Sequence, residues 1–223
     1  MTTPVLDVRE RTVHRTNGRI PPPPPPTGGG DDSSGDPSSG RPALENLILA
    51  TLFFIGAEAM FFAGLIFAFW ILRLGAAVWP PPLQPRLPVG ITLINTVVLL
   101  ASSWVIVTAI GALAAGDRRR GLRRLALAAG LGALFLGIQG FEWVRLVRFG
   151  LSVSSGAYGA TFYTLIGIHG VHVFGALLWL IGMTAVMKRR RLTGPTVGLR
   201  ACAMYWHFVV GLWPVLFLSV YLL

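Results

Sequence analysis

After residue 42 the chain settles into long apolar stretches separated by short polar ones. The apolar stretches fall at about residues 44–72, 88–115, 122–147, 160–187 and 199–223. Each reaches the roughly 20 residues that a helix needs to cross a hydrocarbon core about 30 Å thick. The connections are short, so consecutive helices are expected to be antiparallel neighbours. The expected fold is an all-α integral membrane protein, with five transmembrane helices in an antiparallel bundle over residues 43–223. Residues 1–42 have another character, with prolines at 21–26, glycines at 28–30, Asp31, Asp32 and several serines. Such a stretch cannot bury enough apolar surface to offset its ordering entropy. It is expected to be a disordered cytoplasmic tail with a polyproline II portion. It lacks the apolar core of a signal peptide. A proline-binding partner is conceivable for it, but a plain spacer is the simpler reading.

Composition sharpens this picture. Of 223 residues 53% are hydrophobic and only 13% charged, which excludes an ordinary soluble domain. The one cysteine, Cys202, rules out an internal disulfide and a cysteine-built metal cage. The net charge of +10 would suggest nucleic acid if it formed a patch. It does not: the loop after the second stretch holds Arg118, Arg119, Arg120, Arg123 and Arg124. The loop after the fourth holds Lys188, Arg189, Arg190, Arg191 and Arg200. The opposite loops carry only Arg73 and Arg86, then Arg145 and Arg148. By the positive-inside rule the N-terminus is cytoplasmic and the C-terminus outside, with no role left for nucleic acid. Trp79, Tyr158 and Tyr221 then fall at the outer interface, where aromatic belts form.

Five ionisable residues lie at membrane depth: Glu58, Glu142, His169, His172 and His207. His169 and His172, three apart, share one helix face. Glu142 and His169 come out at similar depths on neighbouring helices, so they are expected to pair, relieving the desolvation of both. Gln139 faces either Glu142 or another helix. Together Gln139, Glu142, His169, His172 and His207 form a candidate polar network inside the membrane. Glu58 stands apart, near the midplane of an otherwise apolar helix with no cation at its depth on that helix. An ionised acid there costs about 2.5–3.5 kcal/mol on insertion scales, so the neutral acid is the expected resting form and Glu58 a candidate for proton exchange.

A metal reading competes with this one. Two histidines on one helix with two glutamates nearby suggest a di-iron bundle, but such sites use paired Glu-x-x-His motifs and four carboxylates. Bis-histidine haem ligation would need facing histidines, and His207 lies too far in depth from His169. No metal site is therefore assigned. Asn95, Thr96, Ser102 and Ser103 are expected to hydrogen-bond between helices, and Gly130, Gly132, Gly137 and Gly140 to let helices approach closely. The run Trp79-Pro-Pro-Pro82 is expected to end the first helix.

Seven segments, taken in order, resemble subunit III of the haem-copper cytochrome c and quinol oxidases. They are Phe53-Phe-Ile-Gly-Ala-Glu-Ala-Met-Phe-Phe-Ala-Gly64, Trp79-Pro-Pro81, Ile94-Asn-Thr96 with Ser102-Ser103, and Gln139-Gly-Phe-Glu-Trp143. Ser155-Gly-Ala-Tyr-Gly-Ala-Thr-Phe162, Ile168-His-Gly-Val-His-Val173 and Tyr205-Trp-His-Phe208 complete the set. They cover residues 45–223.

The resemblance implies an accessory, non-catalytic subunit of a terminal oxidase in a bacterial cell membrane. It would have no redox centre of its own, with haem and copper held by partner subunits I and II. It would bind phospholipid in a cleft, stabilise the complex and support proton uptake to subunit I during O2 reduction. The family's buried acid corresponds to Glu58, its second glutamate to Glu142, its paired histidines to His169 and His172, and its late histidine to His207. The family's longer members carry two helices ahead of the Glu58 helix without counterpart here, as in its five-helix bacterial members. Val210 stands where the family usually has an acid. Two other functions fit these residues: a helper of a nitric oxide reductase, which has similar five-helix relatives, and an autonomous membrane metalloenzyme using the Glu/His set.

Overall fold

The computed structural model describes residues 40–79, 81, 89–192 and 194–222. The expected tail lies outside them, up to residue 39, as do most of the prolines after Trp79. The described residues are helical apart from their connections: α1 (Gly40–Gly75), α2 (Val89–Ala114), α3 (Arg118–Arg148), α4 (Gly156–Arg189) and α5 (Val197–Phe217), with a π-helical turn at Leu218–Leu222. All five helices are long and apolar enough to cross a membrane, and the chain is a multi-pass membrane protein.

Three helices start ahead of their apolar stretches, two of them on polar caps. Asp117 Oδ1 accepts the Arg120 backbone N–H at 2.9 Å, so α3 starts at Arg118 and not near residue 122. Thr196 Oγ1 accepts the Leu199 N–H at 3.2 Å and starts α5. α4 begins at Gly156, four residues before its apolar run, where φ is +81°. α1 stops at Gly75, ahead of Trp79 and its prolines.

The turn between α2 and α3 is short, and Gly116 adopts φ +82°, which a side chain would resist. Just beyond it, a Cβ on Gly121 would meet the Leu113 side chain at 2.5 Å, so glycine lets the two helices close tightly. Arginines at this end also make structural bonds. Arg124 donates to the Thr108 carbonyl at 2.7 Å, and Arg118 donates to the carbonyls of Met187, Lys188 and Leu192 at 3.0–3.2 Å. The last two turns of α4 would otherwise leave carbonyls unpaired.

Chain order does not set every packing partner. α1 rests mainly on α5 and α4, rather than on α2, its neighbour in sequence. α5 is the centre: 56% of its apolar window is enclosed, against 11% for α1. Trp206, Trp213, Phe135, Phe162 and Phe62 fill the core with almost no exposure. Of the four α3 glycines expected to permit close approach, only Gly132 does so. A Cβ there would sit 2.4 Å from the Trp206 ring, whereas Gly130, Gly137 and Gly140 face open space. A glycine row shows that a helix could be approached, not that it is.

Candidate polar site within the bundle

Glu58 and Phe62, four residues apart, share the face of α1 that meets α4. Phe62 is fully buried and turns its edge to both histidine rings, 6.4 Å from His169 and 5.2 Å from His172. One turn away, Glu58 Oε2 comes within 2.8 Å of His172 Nε2. That is ion-pair distance, although the oxygen falls outside hydrogen-bond alignment. The other ring nitrogen, Nδ1, lies 2.7 Å from the Ile168 carbonyl oxygen. A carbonyl only accepts, so Nδ1 carries a proton and Nε2 is the atom turned to the acid. Either the ring is cationic beside a carboxylate, or a neutral ring faces a protonated acid. The two states differ by the position of one proton between Nε2 and Oε2. Both side chains are nearly enclosed, 17% and 19% exposed, where a lone charge would be costly.

His169 behaves differently despite lying on the same face. It is wholly buried and stacks on the Trp213 indole at 5.1 Å between centroids and 26° between planes. Neither ring nitrogen has a partner among the described residues. The expected Glu142–His169 pair does not form. Glu142 is 3% exposed, its oxygens lack hydrogen bonds, and its nearest charge is Arg145 on its own helix at 3.6 Å. Similar depth on neighbouring helices does not suffice for pairing: His169 meets the rings of Trp213 and Phe62, and Glu142 meets Arg145. His169 is thus held by ring packing, between Phe62 of α1 and Trp213 of α5.

Among the described residues the remaining polar side chains make several separate links between helices. Three of them tie α5 to α2 along an antiparallel seam. Trp206 Nε1 donates to Ser102 Oγ at 3.1 Å, and about two turns further on Trp213 Nε1 donates to Thr96 Oγ1 at 2.8 Å. Beside the first of these bonds Ser103 Oγ contacts His207 Nδ1. Asn95 Nδ2 reaches across to the Phe135 carbonyl of α3 at 3.1 Å. Gln139 turns not to Glu142 but to the Tyr221 hydroxyl, 3.2 Å away. Trp206, Trp213 and Tyr221 are thus the partners that the sequence reading missed. Their seven- and eight-residue spacing on one helix was the available signal.

This arrangement can place a proton between Glu58 and His172, orient α1 against α4, and lock α5 to α2. Among the described residues no three His, Cys, Asp or Glu side chains gather as a metal site would need.

Comparison with known proteins gives a consistent answer. The family model for cytochrome c oxidase subunit III matches residues 41–223. The probable cytochrome c oxidase subunit 3 of Nocardia farcinica is 36% identical over 189 residues, covering 82% of this chain and 90% of that one. The cytochrome c oxidase subunit 3 of Loxodonta africana is 35% identical over 184 residues, 79% of this chain and 69% of that one. That of Struthio camelus is 33% identical over 177 residues, 76% and 67%. The chain therefore spans most of the bacterial relative and about two thirds of the animal ones.

Proposed function

Because this chain belongs to the cytochrome c oxidase subunit III family, we propose that it acts as the accessory, non-catalytic subunit of a haem-copper terminal oxidase. Membership of that family implies a membrane hetero-oligomer. The finer reading is that it packs beside oxidase subunits I and II in a bacterial cell membrane, N-terminus cytoplasmic. There it stabilises the complex and sustains proton uptake to subunit I while O2 is reduced. Haem and copper reside in the partners, and this subunit binds phospholipid.

The observation that carries the reading is the Glu58–His172 approach at 2.8 Å, inside a chain matched to the family over its whole membrane part. An acid and an imidazole separated by one transferable proton can buffer or relay protons. The test uses the complex purified in mild detergent. Glu58→Gln is expected to leave the haem spectrum unchanged and O2 reduction substantial, with the defect confined to proton pumping or to how long activity lasts. Loss of O2 reduction with the haems intact would overturn the accessory role. Co-purification with no haem protein at all would overturn the oxidase assignment itself.

A further inference from the structure

We propose that the outward face of α3 is a seat for one transmembrane helix of another subunit, which lies on a stripe of small residues and brings an N–H or O–H side chain to Glu142. The seat rests on the membrane hetero-oligomer that family membership implies, and not on the proton role proposed above.

Ala126, Gly130, Ala133, Gly137 and Gly140 follow one another at alternating spacings of four and three, so they share one face of α3. All five are exposed, and a Cβ added at Gly130, Gly137 or Gly140 would meet nothing within 4 Å. From Ala126 to Gly140 the stripe is about 21 Å long, most of a core about 30 Å thick. The outermost line of α1 is the contrast: Phe53, Met60, Phe67 and Leu74, spaced by seven, are all bulky and 68–77% exposed. Lipid tails adapt to either surface. Only small residues let a second backbone come close, and between helices in a membrane that close packing is a main source of attraction.

Glu142 selects the occupant. Beside Ala133 and Gly137 the surface opens into a hollow of about 550 Å³, bordered by Ile91 of α2 and, toward the outer end of α3, by Phe141 and Glu142. Glu142 is 3% exposed, and neither of its oxygens has a hydrogen bond to a described residue. Arg145 stands at 3.6 Å, beyond hydrogen-bond reach. A buried acid without a donor is costly, and an acyl chain has no donor to offer it. A helix on the stripe can supply one through an Asn, Gln, Ser, Thr or Lys side chain that reaches into the hollow. A second copy of this chain would bring the same stripe, but a two-fold axis along the membrane normal sets acid against acid. Two carboxylates have no donor between them.

In the full-length chain Leu134, an exposed neighbour of the stripe, is replaced by the photoreactive residue p-benzoylphenylalanine, and native membranes are irradiated. Adducts are isolated through this chain and mapped by peptide mass spectrometry. The expected product joins position 134 to a transmembrane segment of another subunit that carries an N–H or O–H side chain at the level of Glu142. The same probe at Val171, 69% exposed on α4, is expected not to join that segment. Gly137→Leu and Ala133→Leu, which fill the seat, are each expected to remove the adduct. Glu142→Leu is expected to lower its yield roughly 3- to 15-fold, the range of one interhelical hydrogen bond in a membrane. Glu142→Gln keeps an acceptor and is expected to restore most of the yield. Unaltered helicity and melting of each variant would show that it folds. Adducts to lipid alone, to a second copy of this chain, or to a segment with no donor near the level of Glu142 would overturn the proposal. So would a yield unmoved by Gly137→Leu and Ala133→Leu, or by Glu142→Leu. If the captured subunit belongs to no haem complex, the oxidase reading fails while the seat stands.

Discussion

Glu58 on α1 and His172 on α4 approach to 2.8 Å, at ion-pair distance inside the bundle. Elsewhere α1 docks through rings, with Phe62 against both histidines, Phe54 against Tyr205, and Phe69 against Trp79. Since α1 is the least enclosed helix, this pair bears much of its positioning. Removing either partner alone leaves a buried polar group unpaired, at about 1–3 kcal/mol. Glu58→Ala and His172→Ala are expected to lower stability by that amount each, and the double variant by little more than either. Detergent-titrated unfolding of all three measures the coupling. Strictly additive losses would show that the two side chains do not interact.

Trp213 joins two interactions that can be separated. Its ring stacks on His169 and meets Phe135 edge-on at 5.0 Å, while its N–H bonds Thr96. Trp213→Phe keeps most of the packing and loses the bond, for about 1 kcal/mol. Trp213→Ala also opens a cavity and is expected to cost about 3–5 kcal/mol. Thermal melts of the two variants check the order.

Gly132→Ala is expected to destabilise by about 1–3 kcal/mol, because the new methyl would overlap the Trp206 ring. Gly137→Ala, in open space on the same helix, is expected to be neutral or slightly stabilising. Equal melting temperatures for the two variants would contradict the close approach seen at Gly132.

Glu142 has no histidine partner to strand. Glu142→Gln is therefore expected to be neutral or mildly stabilising, since it replaces a buried acid whose oxygens lack hydrogen bonds. A loss of 1–3 kcal/mol or so, the outcome expected if Glu142 and His169 did pair, would show that the acid has a partner in the assembled protein.

Topology can be checked without any reference to function. A reporter fused after Leu223 is expected to be active outside the cell, and one placed in the arginine loop at 118–124 only inside. The opposite pattern would invert the orientation inferred from loop charge.

The sequence by itself determined the five spans and their class, because span length and apolarity are properties of each segment alone. It also singled out Glu58, His169, His172 and His207, since ionisable residues are conspicuous in apolar helices. Its seven ordered segments pointed to the subunit III family that the whole-chain comparison shows. Helix ends were less legible, as at α3, where Asp117 caps a start ahead of the apolar run.

Only the tertiary structure decided which groups meet. It gave His172 and not His169 to an acid, set His169 against Trp213, turned Gln139 to Tyr221, and laid α1 on α5 and α4. The physical reason is that these helices are apolar nearly all round. In a membrane, lipid-facing and core-facing side chains are equally apolar, so the pattern along a helix does not record its rotation. Depth can be counted at 1.5 Å per residue, but it says nothing of the direction in which a side chain points. Azimuth is fixed only when Trp206 finds Ser102, Trp213 finds Thr96 and Gly132 admits an indole, contacts between residues about 70 to 120 positions apart.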